Sequence, residues 1–356
     1  MVADIVRYTN MRIDMLAQKY KTKNATVAHT CPEEIKALMG ILIQSGAKQD
    51  NRITVAEMWS KQHGSPLYRS AMNEKKKRFS FLLRSLRFDD HTTRNERIKT
   101  DKLAPWRNTW ECFLDNCQKN YVPGNAITVD EQMVESRGRC PFRYYMQNKP
   151  TKYGIKINMA CDARNSYMLN GIVDLAKYRR PQVVPGKLGE YYTMTLTEPF
   201  LDSNRTITVD NCFTSLSLVK ELYKRNTYLI GTSRRKGDVP KIMVDKKLSR
   251  PVDSSIFLFH ENVSMVSFKP KKDKIVLLLS SKHNSSAIGE RNKPEAIHFY
   301  NKTKGGVDIL DMMCARDRYS RVSSQEIGIL VQALSQVFME CRFSHLIDTV
   351  FTYAFD

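Results

Sequence analysis

The chain has 356 residues, 42% of them hydrophobic, enough to bury a substantial core and to divide into two or three domains. Its 57 Lys and Arg against 37 Asp and Glu leave a formal charge of +20 and a sequence pI near 9.6, so a polyanion, nucleic acid first, is the expected partner. The apolar content excludes a disordered tail. An anionic membrane surface is the competing partner, but the longest apolar runs, such as Ile275 to Leu279, fall far short of the ~20 residues a membrane helix needs. The 8 cysteines contain no C-x-x-C pair, which argues against a zinc module or a disulfide framework, and the N-terminus shows no signal-peptide apolar segment. A reducing, intracellular setting is the expectation.

From Met1 to about Tyr121 the pattern is helical, with apolar residues three and four apart in Ile35, Leu38, Met39, Ile41 and Leu42 and again in Phe79, Leu82, Leu83 and Leu86. Pro32-Glu33-Glu34 reads as a helix start. Lys75-Lys76-Lys77-Arg78 reads as a solvated helix face, and the stripe of Trp106, Trp110, Phe113 and Tyr121 as core; the competing reading is a basic, aromatic unit for DNA binding and dimerisation. Pro123-Gly124 ends the helical region. Strands are then predicted over Ala126 to Met133, Tyr153 to Asp162, Tyr167 to Leu175, Thr206 to Phe213 and Tyr228 to Thr232, with helices over Leu188 to Thr197 and Ser215 to Arg225. Strand-like runs at Ile256 to Phe259, Val263 to Phe268 and Ile275 to Leu279 read as a β-rich insertion.

Within this order one tetrapeptide occurs twice, Ile127-Thr128-Val129-Asp130 and Ile207-Thr208-Val209-Asp210, each time closing a strand with an acid. Asp308 and Asp311 follow after the insertion, three apart, and so share a face if the segment is helical. Acids on the first and fourth strands and on a later helix are similar to the layout of RNase H-like nucleases and transposases. Phosphodiester cleavage is commonly run by two divalent ions roughly 4 Å apart, and hard cations such as magnesium take carboxylate oxygens. Arg137, Arg139, Lys302 and Lys304 are the expected counter-charges for phosphate, with Arg234, Arg235 and Lys236 as a clamp on the backbone. No Ser-His or Cys-His arrangement, P-loop or G-x-G-x-x-G competes.

The residues resemble the piggyBac transposases most densely in Ile127-Thr128-Val129-Asp130-Glu131-Gln132, Arg137 to Arg143, Asn148-Lys149-Pro150, Lys152 to Lys156, Val209 to Ser215 and Lys304-Gly305-Gly306-Val307-Asp308. The motifs stand in the family's order over roughly Glu34 to Arg321. The resemblance implies an α/β fold with an RNase H-like catalytic core, a mixed five-stranded sheet carrying a β-rich insertion, flanked by a helical dimerisation and DNA-binding domain. The corresponding divisions are 1-122 for the helical domain, 123-236 and 295-317 for the two parts of the core, 237-294 for the insertion and 318-356 for a divergent helical tail. It implies cut-and-paste transposition of double-stranded DNA at TTAA targets through hairpin intermediates, by a homodimer, in the nucleus. Asp130, Asp210 and Asp308 match the three catalytic aspartates that hold magnesium, with manganese as a substitute, and Asp311 matches a fourth acid counted with the metal site. Arg143, Lys149, Lys152, Lys156 and Asn211, inside the matching motifs, join the expected DNA contacts.

The sequence departs from the family at Cys212, where an aromatic residue is common, and past Arg321, where the Arg-Trp-Pro-like segment is missing. No Cys/His-rich segment follows, so no zinc is expected. Two other functions fit the same residues: a transposase-derived protein that binds DNA without cutting it, and an RNase H-like enzyme acting on RNA.

Overall fold

In a computed structural model of the chain, residues 1–20, 24–50, 53–72, 76–135, 140–147, 152–178, 188–234, 239–245 and 249–316 are described. The predicted tail 318-356 lies outside them. The first part is helical, with α1 (Val2–Ala17), α2 (Pro32–Ala47), α3 (Val55–Met58), α4 (Pro66–Ala71), α5 (Lys76–Ser85), α6 (Arg94–Thr100) and α7 (Arg107–Asn120). Pro32 sits in the first turn of α2 with Glu33 and Glu34 behind it, where a fixed φ and negative charge both suit a helix start.

Arg78 differs from the sequence expectation. It is not part of a solvated face: it is 4% exposed, its Nε and Nη2 grip the two carboxylate oxygens of Glu34 at 2.7 and 2.6 Å, and its remaining N–H groups donate to the carbonyls of Thr26, Ala28 and His29. A guanidinium presents its donors in a fixed fork, so one side chain ties α5 both to α2 and to the loop before it. Three of the four aromatics in the stripe are core, as the simpler reading had it, and Tyr121 is half-buried. Trp106, Trp110 and Phe113 are buried, and the Trp110 indole donates to the Gly171 carbonyl at 3.3 Å, joining the helical region to the sheet.

The rest alternates strands and helices: β1 (Ala126–Glu135), β2 (Tyr144–Tyr145), β3 (Tyr153–Asp162), β4 (Met168–Val173), α8 (Leu188–Thr197), β5 (Thr206–Val209), α9 (Leu216–Lys224), β6 (Tyr228–Thr232), α10 (Lys241–Val244), β7 (Ser254–His260), β8 (Val263–Lys271), β9 (Lys274–Ser280), α11 (Glu295–Thr303) and α12 (Gly306–Arg316). The mixed α/β arrangement with helices flanking a mixed sheet is the one expected, but the sheet is larger. It has nine strands in the order β2-β3-β1-β5-β6-β9-β8-β7, with β4 also pairing to β3. The insertion's strands do not form a sheet of their own, because β9 adds antiparallel to β6 through Ile230↔Ser280, Gly231↔Leu279 and Thr232↔Leu278. The physical reason lies in the run Ile275-Val276-Leu277-Leu278-Leu279: a strand apolar on both faces needs cover on both sides, and joining β6 also removes that strand's open edge. Leu278 and Ile230 then share one apolar cluster with Ala296, Ile297 and Tyr300 of α11.

The short β2 was not foreseen. Two residues carry too little pattern to register as a strand, and their pairing with Tyr153 and Gly154 is set by the fold. No helix among the described residues is long and apolar enough to cross a membrane.

Candidate active site

The repeated tetrapeptide pairs with itself. β1 and β5 are adjacent and parallel, in the register Ile127↔Ile207, Thr128↔Thr208 and Val129↔Val209. The next residue on each strand is the aspartate, so Asp130 and Asp210 leave neighbouring strands at the same level, about 4.8 Å apart in the spacing of a sheet. The surroundings then diverge. Asp130 remains in β1, opposite Met159 of β3, while Asp210 opens a turn in which its carboxylate accepts from the Cys212 N–H at 2.7 Å and its carbonyl from the Thr214 hydroxyl at 2.7 Å. That turn is why β5 stops at Val209 rather than running on to Phe213.

Side chains alternate along a strand, so Thr128, Asp130 and Gln132 share one face of β1, and Thr208 and Asp210 share the matching face of β5. This face carries α11 and α12. The Thr128 hydroxyl donates to the Thr303 carbonyl at 2.6 Å, and the Thr208 and Thr303 hydroxyls share a hydrogen bond of 2.8 Å. Immediately beyond, Gly306 rests on β1 so closely that a Cβ there would lie 2.6 Å from the Thr128 hydroxyl oxygen and 3.3 Å from the Asp162 carbonyl. The Gly-Gly step before α12 is therefore a point of contact between helix and strand. It sets Asp308 in the first turn of α12 and Asp311 one turn further, where Asp311 accepts from the buried Gln132 amide at 3.0 Å.

Tyr300 registers where the acids converge. Its phenol is pushed above its ordinary value, first by burial, against a hydrogen bond with Thr232, and then by the negative charge of Asp210, Asp130 and Asp308 together. Asp162, by contrast, is used up in the scaffold: it is 1% exposed and accepts from the Gly124 N–H, the Arg164 N–H and the Tyr121 hydroxyl. The donor set of Asp130, Asp210, Asp308 and Asp311 consists of hard carboxylate oxygens, the chemistry that suits magnesium or manganese. Among the described residues no three His, Cys, Asp or Glu side chains are drawn together tightly enough to enclose an ion unaided. The residues fit such a cation in donor type, and the rest of its coordination would fall to water and substrate oxygens.

Beside the acids runs an open cleft of about 860 Å³, whose lining includes Asn211, Arg234, Lys274, Lys293, Asn301 and Lys304, together with Tyr300. Of the residues expected to bind DNA, this cleft gathers Asn211, Arg234 and Lys304. Arg234 reaches the Asp210 turn: the Cys212 thiol is held above its ordinary value, chiefly by burial, and a hydrogen bond with Arg234 offsets part of that rise. Lys302 is exposed on α11 outside the cleft lining. Arg143, Lys152 and Lys156 sit on the other side of β1, around β2 and β3, where Lys156 also lies 4.0 Å from Asp174. Arg137, Arg139, Lys149, Arg235 and Lys236 lie outside the described residues. Lys274, Lys293, Gln132 and Thr303 were not singled out from the sequence. Thr128 and Thr208 were visible as part of the repeat, and their recurrence beside each aspartate was the available signal.

A family model described as transposase IS4 matches residues 1–339. Among solved structures, the cryo-EM structure of a piggyBac transposase synaptic complex with hairpin DNA is similar, at 37% sequence identity and a TM-score of 0.88, over 99% of this chain and 72% of that one.

Proposed function

The chain belongs to the transposase family that includes piggyBac, and from that premise we propose that it cuts and transfers DNA strands at transposon ends, using Asp130, Asp210 and Asp308 as its catalytic carboxylates with Asp311 beside them. The observation that carries this reading is the in-register pair of strands that deliver Asp130 and Asp210 at one level, faced by a helix whose start Thr303 and Gly306 hold against them. Magnesium, or manganese in its place, bound by these carboxylates would supply activation of the attacking oxygen and neutralisation of the leaving one.

The chain's own residues do the rest. The threonine hydroxyls fix the end of α11, and so the start of α12, against the strands, and the Gln132 amide donates to one Asp311 oxygen and orients that carboxylate. Arg234 and Lys304 hold phosphate beside the acids, and the cleft cations Lys274 and Lys293 hold the backbone beyond. Tyr300 stays a neutral phenol at physiological pH and adds no charge of its own among the carboxylates. In hydrolysis a water oxygen displaces the 3′ oxygen from phosphorus, and that freed hydroxyl, after losing its proton, displaces the bridging oxygen of a second phosphodiester. The same proposal takes double-stranded DNA with a TTAA target as substrate, a homodimer working in the nucleus as the active form, and the helical residues 1-122 as the dimerisation and DNA-binding unit.

A labelled transposon-end duplex incubated with the full chain and magnesium is expected to be nicked at the 3′ end, and Asp210→Asn to bind it without nicking. A salt-dependent mobility shift with no nick from the unmodified chain would overturn the cleavage reading and mark a DNA-binding derivative instead.

A further inference from the structure

On the far side of β1 from the cleft stands a second group of side chains that the chemistry above does not use. Tyr145 and Tyr153 pair across β2 and β3, their ring centroids 4.8 Å apart and tilted by 43°. Both are half in solvent, at 54% and 50% exposure. The Arg143 guanidinium lies 5.5 Å from the Tyr153 ring centroid, and the Lys156 ammonium 5.9 Å from that of Tyr144. Lys152 is exposed next to Tyr153. Residues 140–147 and 152–156 contain no acid. A cross-strand aromatic pair knits two strands together, but that role requires neither half-exposed rings nor neighbouring cations.

We propose that Tyr145 and Tyr153 form a stacking platform for unpaired bases of a DNA strand whose phosphates lie on Arg143 and Lys152. Aromatic faces take any base, and adjoining cations follow the backbone, which is how proteins hold single strands without reading sequence. The position fits a strand that has come from the acids. Gly154, next to Tyr153, pairs with Glu135, five residues beyond Asp130 on β1, a run of about 17 Å along a strand. That is about the length of five stacked nucleotides at 3.4 Å each. The proposal rests on DNA being the substrate, and it adds that the strand is held open rather than paired where it passes this edge.

The test uses the full chain and two probes of one sequence, a fully paired duplex and the same duplex with a four-nucleotide single-stranded end carrying 2-aminopurine. The unmodified chain is expected to bind the open probe more tightly and to quench its fluorescence. Tyr145→Leu and Tyr153→Leu are expected to weaken that binding about 5- to 100-fold each, on the usual scale of base stacking, while changing affinity for the paired probe less than twofold. Tyr145→Phe, which keeps the ring, should retain both. Equal loss on the two probes, or none on either, overturns the platform; if the transposon-end duplex is still nicked, the proposed function stands without it. A chain that binds neither probe overturns both.

Discussion

Two buried polar knots hold distant parts of this molecule together, one in the helical region and one beneath the acids, and they are built from opposite materials. Arg78 joins α5, α2 and the preceding loop with a full positive charge, answered by Glu34 and backbone carbonyls. Thr128, Thr208 and Thr303 join β1, β5 and α11 with neutral hydroxyls. Either chemistry closes a knot, but only the second leaves the electrostatics of its neighbourhood alone. A guanidinium buried beside Asp130 and Asp210 would pair with them and take the charge that a cation or a phosphate-bearing partner must find. Hydroxyls fix the geometry and add no charge of their own beside the carboxylates.

Breaking the charged knot should cost most. Arg78→Ala takes the charged donor from the Glu34 carboxylate, which keeps the Thr30 hydroxyl, and from the carbonyls of Thr26, Ala28 and His29, and a loss of about 3–5 kcal/mol is expected from urea unfolding; Arg78→Lys should recover only part of it, because an ammonium cannot reproduce the fork. The helix contact comes next. Gly306→Val drives a side chain into Thr128, at about 1–3 kcal/mol, and DNA nicking should fall further than the shift in unfolding midpoint explains, since Asp308 and Asp311 move with the helix. If nicking and stability fall in step, the contact is only packing. Thr303→Val strips the neutral knot of its hydroxyl and leaves that of Thr208 short of a partner, for about 1–2 kcal/mol; nicking should drop while DNA affinity, read by mobility shift, holds.

The smallest effect is expected at His283, which hydrogen-bonds Ser280 and packs edge-on against Phe299 of α11. Burial, reinforced by Lys282, holds its imidazole below the ordinary value of 6.5. The unfolded chain therefore takes up this proton first as pH falls. The stability tied to the neutral ring is complete above about pH 6.5 and drains away below it, until the folded form also protonates. Thermal unfolding of His283→Gln between pH 7.5 and 5 should show a shallower decline than the unmodified chain.

Much of this was legible before any coordinates. Strand and helix bounds at Tyr153 to Asp162, Leu188 to Thr197 and Tyr228 to Thr232 follow from local alternation and spacing, and they coincide with the structure. The aspartates stood out because the sequence around them repeats. What stayed hidden depends on partners far along the chain. A basic run such as Lys75 to Arg78 looks uniformly solvated until Glu34 and the 26–29 carbonyls are seen to surround its last member. The pairing of β9 with β6 joins residues about fifty apart, and the cleft's Lys274 and Lys293 acquire meaning only through it. Gln132 reads as an ordinary polar strand residue, and its amide points at Asp311 only once α12 has docked.

That same β6–β9 pairing makes the sheet a ruler. Counting across from β5, which leads into Asp210, the wall of the cationic cleft is two strands away, a span of about 10 Å set by hydrogen-bonded strand spacing rather than by a hinge. A phosphate resting on that wall has its separation from the acids dictated by backbone pitch. Lengthening the loops of residues 237-294 would leave the measure unchanged, whereas slipping β9 by one residue against β6 would turn its inward side chains outward and miscalibrate every contact made through the cleft.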